Sequence, residues 1–210
     1  MTHMKHKPET DAGSTKEISS LFERGVADYF RDFGYRKARE APHQAWLLIS
    51  LSKYISPKLV IGELQVPNQD LRPFVELKDT GGAVNFDFGI SRSEIDLRTW
   101  KSRTPGWNQG VSTVPQTLST LNEIQVLAEL KLAASTSTTR KALVHDIRKM
   151  AAAVRFMEHN SCDQIPRCYF ILLDPERKFD IDRLKLETAK DWPSAAPFPS
   201  IIVGPKPDAP

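Results

Sequence analysis

Two long stretches of the chain repeat apolar residues at the spacing of a helix. Between Lys16 and Phe33 these residues lie three or four positions apart, at Ile18, Phe22, Val26, Tyr29 and Phe33. From Arg140 to Glu158 the same spacing joins Leu143, Ile147, Met150, Val154 and Met157. Because three or four residues make roughly one helical turn, each set lies on one helix face. Both stretches are therefore predicted to be amphipathic helices that pack against a core.

Two shorter segments also fit helices. Pro42 to Ile55 begins with a proline, which the first helical turn tolerates, and is followed by Ser56-Pro57. A strand from Trp46 to Leu51 is the alternative there, because a short apolar run does not define a period. Ile181 to Thr188 is predicted to be a short helix.

Five runs have the length and apolar character of strands. They are Lys58–Val66, Leu71–Lys78, Val84–Ile90, Gln125–Ala133 and Cys168–Leu173. Short turns rich in proline, asparagine, aspartate and glycine separate the first three, which predicts an antiparallel meander. The last two flank the Arg140–Glu158 helix, so this unit is predicted to be a strand–helix–strand crossover.

The order of these elements predicts an α/β fold, with a central mixed sheet of four to five strands flanked by helices on both faces. A single domain is predicted over residues 16–190, with an insertion near residues 91–121 in which regular structure does not persist. Residues 1–15 are predicted to be a disordered leader. Residues 191–210 contain six prolines and are predicted to be an extended tail, with Ile201–Val203 as an alternative edge strand.

The composition is that of a soluble globular protein, with 40% hydrophobic and 26% charged residues. No apolar run approaches the roughly 18 residues of a membrane-spanning helix. The two cysteines, Cys162 and Cys168, occur in a chain without a secretory signal, so reduced thiols and a cytoplasmic location are predicted over a disulfide. The net charge of +3 permits nucleic-acid binding without requiring it.

Charged residues interrupt two of the predicted strands. Asp87 lies within Val84–Ile90, and Glu129 and Lys131 lie within Gln125–Ala133. A buried strand normally excludes such residues, because an unpaired charge is costly to remove from water. Strand side chains alternate between faces, so Glu129 and Lys131 project to the same side. If the two strands are neighbours, two carboxylates and one ammonium group converge, which favours a metal site.

This pattern resembles the PD-(D/E)xK nuclease superfamily, whose fold is called restriction-endonuclease-like. That family places an Asp at the bend of one strand, Glu-x-Lys in the neighbouring strand, then a crossover helix and a further strand. Asp87, Glu129-Leu130-Lys131, the Arg140–Met157 helix and Cys168–Leu173 match this order over roughly residues 16–175. Asp87 and Glu129 are farther apart in sequence than is usual in the family, which the insertion explains.

The resemblance implies a nuclease that hydrolyses phosphodiester bonds with Mg²⁺, for which Mn²⁺ can substitute. Asp87 and Glu129 would bind the ion, with the backbone carbonyl of Leu130 as a further ligand. Lys131 would hold the attacking water or stabilise the developing negative charge. The helix before the sheet often supplies another acidic residue in this superfamily, for which Glu23 is the candidate and Glu40 the alternative.

DNA is the expected substrate, in restriction, repair or defence. Lys141, His145 and Arg148 share one face of a predicted helix and are candidate phosphate contacts, with a solvated face as the alternative. A second Glu-x-Lys, at Glu76-Leu77-Lys78, follows Pro73 and is predicted to lie at an exposed hairpin end. Cleavage of both DNA strands would favour a homodimer.

Two other classes of function remain open. One is a binding or assembly module that keeps the nuclease fold without activity, and it would have no metal site dependent on Asp87. The other is a small α/β hydrolase or transferase. The sequence contains no Gly-x-Ser-x-Gly, P-loop or Gly-x-Gly-x-x-Gly pattern, which disfavours this class.

Overall fold

The fold is known from a computed structural model. The residues that it describes are 15–34, 36, 38–77, 82–94, 114–133, 138–194 and 196–204. The predicted leader lies outside these residues apart from Thr15, where the first helix begins. Together the described residues form six α-helices and one five-stranded sheet, which confirms the predicted α/β class.

The sheet is mixed, as predicted. Its strands are β1 (Val60–Pro67), β2 (Ala83–Ser91), β3 (Ile124–Leu132), β4 (Arg167–Leu173) and β5 (Ser200–Val203). They lie side by side in sequence order. β2 pairs in antiparallel with both β1 and β3, whereas β4 pairs in parallel with both β3 and β5. The helices are α1 (Thr15–Phe33), α2 (Glu40–Leu51), α3 (Asn68–Leu71), α4 (Val114–Asn122), α5 (Arg140–His159) and α6 (Ile181–Ala189).

Helices α1 and α2 cover one face of the sheet. The apolar stripe predicted for α1 packs with Leu47 and Leu51 of α2 against side chains of β2, β3 and β4. The helix predicted from Pro42 to Ile55 is therefore confirmed over the strand alternative, although it begins at Glu40 and ends at Leu51. This burial of one apolar stripe stabilises both helices, because propensity alone holds short helices only marginally.

Helix α5 covers the opposite face, together with the shorter α3, α4 and α6. The predicted apolar face of α5 is buried there, at Leu143, Ile147, Met150, Val154 and Met157. β3 is enclosed by both helix layers, and nearly all of its side chains are buried. A charged residue on β3 therefore requires partners within the fold.

The predicted strand from Leu71 to Lys78 is wrong. The chain enters α3 after Pro67, and residues 72–77, all of which the structure describes, contain no strand. Val75 and Leu77 are nevertheless buried in the core layer beneath α5. Their apolar character reflects this packing rather than strand pairing, and Pro73 lacks the N–H that a paired strand would use.

Two segments predicted to be irregular contain regular elements. Residues 114–122, which overlap the end of the predicted insertion, form α4. Residues 95–113, with Trp100 and Trp107, lie outside the described part of the chain. In the proline-rich segment, β5 pairs in parallel with β4, which confirms the alternative edge strand. Trp192 is also buried in this segment, so its described part packs on the domain rather than extending from it.

The sequence predicted no membrane-spanning helix, and the helices of the structure can be compared with this prediction. No helix in the described part of the chain combines the length and apolar character needed to cross a membrane. Cys168 is buried in β4, Cys162 is half-buried, and both thiols are free. The cytoplasmic location stays a prediction.

Replacing Gly25 with Ala is expected to destabilise the packing of α1 on α2. A Cβ added at Gly25 would lie 2.7 Å from Leu51 Cδ2 and 3.1 Å from Leu51 Cα. Overpacking of this kind costs about 1–3 kcal/mol, which exceeds or offsets the roughly 1 kcal/mol that alanine contributes in a helix. Urea unfolding should therefore show a free energy of unfolding lower by about 1 kcal/mol.

Gly62 supplies the control for this substitution. A Cβ added at Gly62 meets no described atom within 4 Å, so Gly62→Ala should leave stability unchanged or raise it slightly. Equal stability of the Gly25→Ala and Gly62→Ala proteins would show that α1 and α2 separate more easily than their contact indicates. This packing matters for the site, because α2 supplies two of its side chains.

Candidate active site

Strands β2 and β3 separate at Asp87. Their pairing ends at Phe88, which lies opposite Ala128. One residue further, Asp87 Oδ2 accepts a hydrogen bond of 2.8 Å from the backbone N–H of Leu130. The carboxylate thus takes the place of a strand partner, and it lies in the gap where the two strands diverge.

An irregularity in β2 orients Asp87. Val84 and Phe86 pack in the layer beneath α5, whereas Phe88 packs beneath α1 and α2. Strict alternation would place all three on the same face. The pairing of β2 with β1 also skips Asp87 and the opposing Glu63, whose φ of 53° lies in the left-handed region. Such local breaks in a ladder redirect a side chain, and here the redirected side chain is Asp87.

Glu129 is buried on the α5 side of β3, with only 1% of its surface exposed. Its Oε1 accepts a hydrogen bond of 2.8 Å from Lys149 Nζ. Its Oε2 is buried without a hydrogen-bond partner among the described residues. Burial raises the pKa of Glu129 well above its usual range, against the effect of Lys149, and the carboxylates of Asp146 and Asp87 raise it further. Glu129 is therefore a buried acid with one unsatisfied oxygen.

Lys131 lies at the centre of four carboxylates. Its Nζ is 3.0 Å from Glu40 Oε1, 3.6 Å from Asp146 Oδ2, and 3.9 Å from both Asp87 Oδ2 and Glu129 Oε2. Burial alone would lower the pKa of Lys131, but the four carboxylates together raise it above its usual range. The side chain therefore remains an ammonium group at neutral pH.

The charged residues around Lys131 and Lys149 have a negative formal charge, whereas the whole chain carries +3. Four carboxyl groups and two ammonium groups form a set that we name the acidic cluster: Glu40, Asp87, Glu129, Asp146, Lys131 and Lys149. Its formal charge is −2 when all four carboxyl groups are ionised. Glu129, Asp146 and Lys149 are all nearly excluded from solvent. Such a charge imbalance favours binding of a cation, because screening by water is weak there.

Two members of the acidic cluster come from α5 and were missed by the sequence analysis. Asp146 and Lys149 lie one turn apart, and the Lys149 Nζ is 2.9 Å from Asp146 Oδ1. Asp146 follows Leu143 by three positions and precedes Met150 by four, so it interrupts the apolar stripe of the helix. That interruption is the sequence feature that could have identified it, by the same logic that identified Glu129.

Helix α2 approaches the cluster from the other face. Gln44 Nε2 donates a hydrogen bond of 2.9 Å to Asp87 Oδ1, and Glu40 accepts one of 3.0 Å from Lys131 Nζ. Of the two helix carboxylates that the sequence offered, Glu40 is therefore the one that lies beside Lys131. Glu23, the preferred candidate, instead accepts a hydrogen bond of 2.8 Å from the hydroxyl of Tyr169. Burial raises the pKa of Tyr169 to about 12. A hydrogen bond with Ser19 opposes this rise and Glu23 adds to it, so the hydroxyl keeps its proton at neutral pH.

The candidate phosphate contacts on α5 differ in their surroundings. Lys141 is exposed and His145 is half-buried. Arg148 forms an ion pair of 2.7 Å with Asp191, so its charge is balanced within the fold. In the second Glu-x-Lys, Glu76 is exposed, as predicted, but not at a hairpin end, since residues 72–77 contain no strand. Lys78 lies outside the described residues.

The donor set of the acidic cluster fits Mg²⁺. This ion usually binds one or two protein carboxylates and keeps several waters, rather than filling a cage of protein ligands. Among the described residues, no group of three or more acidic, histidine or cysteine side chains is arranged to hold a metal ion. Asp87 Oδ2 and the unsatisfied Glu129 Oε2 lie within 3.9 Å of the same nitrogen, so they are at most twice that distance apart.

The carbonyl of Leu130 faces the same gap. The N–H and C=O of a strand residue project to the same side, as the paired bonds of antiparallel ladders show. Because the N–H of Leu130 points at Asp87, its carbonyl also points towards the gap between β2 and β3. Two carboxylates and one carbonyl oxygen are therefore available at this position.

Comparison with known proteins identified no relative of this chain. No family model, no curated protein and no solved structure matches the chain. The chain's own residues therefore define its class: an α/β protein with a five-stranded mixed sheet and a buried acidic cluster where two strands separate.

Proposed function

We propose that the protein is a Mg²⁺-dependent nuclease with a restriction-endonuclease-like fold, which hydrolyses phosphodiester bonds in DNA. The observation that supports this most is the separation of β2 and β3 at Asp87, which brings Asp87 within 3.9 Å of Lys131 and leaves Glu129 Oε2 unsatisfied beside the same lysine. The strand order, with Asp on β2, Glu-x-Lys on β3 and α5 leading to β4, is the order that the PD-(D/E)xK resemblance implies.

Asp87, Glu129 Oε2 and the Leu130 carbonyl would hold the ion. When bound, Mg²⁺ polarises a phosphate oxygen and lowers the pKa of an attacking water. Gln44 and the Leu130 N–H fix the orientation of Asp87, since each donates to a different carboxylate oxygen. Lys149 fixes Glu129 in the same way through Oε1.

Lys131 supplies a positive charge that does not depend on pH near neutrality. Its contact with Glu40 holds the ammonium group beside the start of α2. There it stabilises negative charge that develops on the scissile phosphate, in a site where water screens poorly. Catalysis then requires little rearrangement, because neighbouring carboxylates already position this side chain.

A cavity at the start of α5 has basic side chains in its lining, of which Arg140 is paired with Glu187. It has a volume of about 250 Å³ and is lined by Arg140, Lys178 and Arg183, with Asp180 as the opposing acid. Arg140 begins α5, the helix that also carries Asp146 and Lys149. A phosphodiester backbone provides the repeated negative charges that such a surface attracts. A homodimer for double-strand cleavage stays part of the proposal.

Cleavage of supercoiled plasmid by the full chain tests the function. The wild-type protein with Mg²⁺ or Mn²⁺ should convert the plasmid to nicked or linear forms, and EDTA should prevent this. Asp87→Asn keeps the size of the side chain but removes its charge and replaces one accepting oxygen with an NH2 group, so it should lower the cleavage rate more than about tenfold. Equal rates for the two proteins, or no cleavage by the wild type with any divalent ion or DNA form, would refute the proposal.

A second candidate function is a binding or assembly module with the same fold and no activity. It is favoured by the contacts of Lys149, whose ammonium group pairs with Glu129 and Asp146 and so satisfies part of the cluster without a metal. Calorimetric titration with Mn²⁺ separates the candidates. A nuclease should bind Mn²⁺ and lose this binding in Asp87→Asn, whereas the module should show no Asp87-dependent binding.

A further inference from the structure

The Lys149 ammonium group lies among three oxygen atoms, with the ring centroid of Phe86 at 5.8 Å. Its Nζ lies 2.8 Å from Glu129 Oε1, 2.9 Å from Asp146 Oδ1 and 2.9 Å from the backbone carbonyl oxygen of Asn85. These three oxygens come from β3, α5 and β2. The lysine is 8% exposed, so the protein rather than water supplies its contacts.

The chemistry of this oxygen site is that of a divalent-cation site. Two carboxylates and one carbonyl are hard oxygen ligands of the kind that Mg²⁺ and Mn²⁺ take. These three oxygens surround the ammonium group of Lys149, so the position already holds a cation. Asp146 lies one turn before Lys149 on the same helix, so their ion pair also fixes the position of the lysine side chain.

Glu129 links this oxygen site to the proposed metal. Oε1 contacts the ammonium group of Lys149, and Oε2 is the buried oxygen without a hydrogen-bond partner in the described residues. One carboxylate thus faces two cationic positions, as a bridging ligand does between two metals. In two-metal nucleases the ions lie about 3.5–4 Å apart, and a carboxylate commonly spans that distance.

We propose that the Lys149 ammonium group is a built-in substitute for a second metal ion, so that the active site binds one divalent ion rather than two. This inference rests on the proposed function, since it presupposes an ion at Glu129 Oε2. Lys149 is a positioning residue: it holds Glu129 in one orientation and neutralises the side of the cluster that faces α5. With a lysine in this position, the active site is complete once a single metal ion has bound, so it needs a lower metal concentration than a two-ion site.

The test is the number of Mn²⁺ ions bound, measured by calorimetry and by electron paramagnetic resonance. The wild-type protein should bind one ion with an uncoupled spectrum. Lys149→Ala empties the oxygen site and leaves its three ligands, so it should bind two ions and show spin coupling between them. Lys149→Met fills the same space with an apolar chain and should bind one ion.

The double variant Lys149→Ala with Asp146→Asn is the charge-balanced control. It removes one positive and one negative charge, so the formal charge of the cluster is unchanged while the second position loses a carboxylate. This variant should bind one ion. Two ions in the double variant would overturn the inference, because the second ion would then not depend on the oxygens that contact Lys149.

The remaining outcomes are also decisive. Two ions in the wild-type protein, or one uncoupled ion in folded Lys149→Ala, would overturn the inference. If Lys149→Ala is unfolded without metal, Mn²⁺ is added: refolding with two bound ions supports the inference, and refolding with one ion or no refolding overturns it. Absence of any Mn²⁺ bound to the wild type would instead remove the proposed function on which the inference rests.

Discussion

Replacing Glu129 with Gln is expected to lower Mg²⁺-dependent cleavage of DNA by more than about 100-fold, because loss of even an outer partner of a metal ligand typically costs 10- to 100-fold. Glutamine has nearly the same shape, but it removes the charge that faces the ion at Oε2. It also weakens the contact with Lys149 at Oε1. The rate is measured from initial cleavage of plasmid at saturating Mg²⁺, and Mn²⁺ affinity is measured by calorimetry.

Glu76→Gln is the matched control for this experiment. Glu76 begins the other Glu-Leu-Lys of the chain but is exposed, outside the acidic cluster. Its replacement should leave both the cleavage rate and Mn²⁺ affinity unchanged. Similar losses in the two variants would mean that the Glu129 environment does not produce the activity. An active Glu129→Gln protein would place the metal ligands elsewhere.

Replacing Lys131 with Met is expected to separate catalysis from metal binding. Cleavage should fall about 100- to 1,000-fold, the usual cost of removing one group that stabilises charge in the transition state. Mn²⁺ should bind more tightly, because the formal charge of the acidic cluster changes from −2 to −3 when one of its two ammonium groups is lost. A purely structural role for Lys131 would lower both quantities together.

Lys58→Met controls for the loss of a lysine in general. Lys58 is exposed and forms a surface ion pair of 3.0 Å with Glu94. Surface pairs of this kind contribute little, so this variant should keep the cleavage rate and Mn²⁺ affinity of the wild type. Thermal unfolding of each variant, with and without Mn²⁺, shows that the comparison is made between folded proteins. Weaker Mn²⁺ binding by folded Lys131→Met would contradict the proposed electrostatics.

The elements that the sequence predicted well are those with a strong, long pattern. α1 and α5 repeat apolar residues over four or more turns, and their buried faces are the predicted ones. Leu71–Lys78 has no comparable length, and a short apolar run is compatible with any buried conformation. Its apolar side chains pack beneath α5, a contact that depends on a helix more than 60 residues later in the chain.

The candidate site likewise contains some residues that the sequence predicted and others that it did not. Asp87, Glu129 and Lys131 were identified because charged residues are unusual in apolar strands, and the structure brings all three together. The sequence favoured Glu23 over Glu40, but the structure places Glu40 beside Lys131. Both residues lie on helices before the sheet, and no local pattern separates them. Asp146 and Lys149 were missed, because in a helix a charge near an apolar stripe commonly faces solvent.

The sequence by itself determined the α/β class, the order of the main elements and the three charged residues of the two strands, because each depends on local periodicity or on a local exception to it. Only the tertiary structure decided where β2 leaves β3, and therefore which carboxylates meet. It joined α2 and α5 from opposite faces around Lys131, and it enclosed Lys149 among three oxygens. Such contacts depend on how distant elements pack, and the energies of these charges depend on burial, which no single segment of sequence specifies.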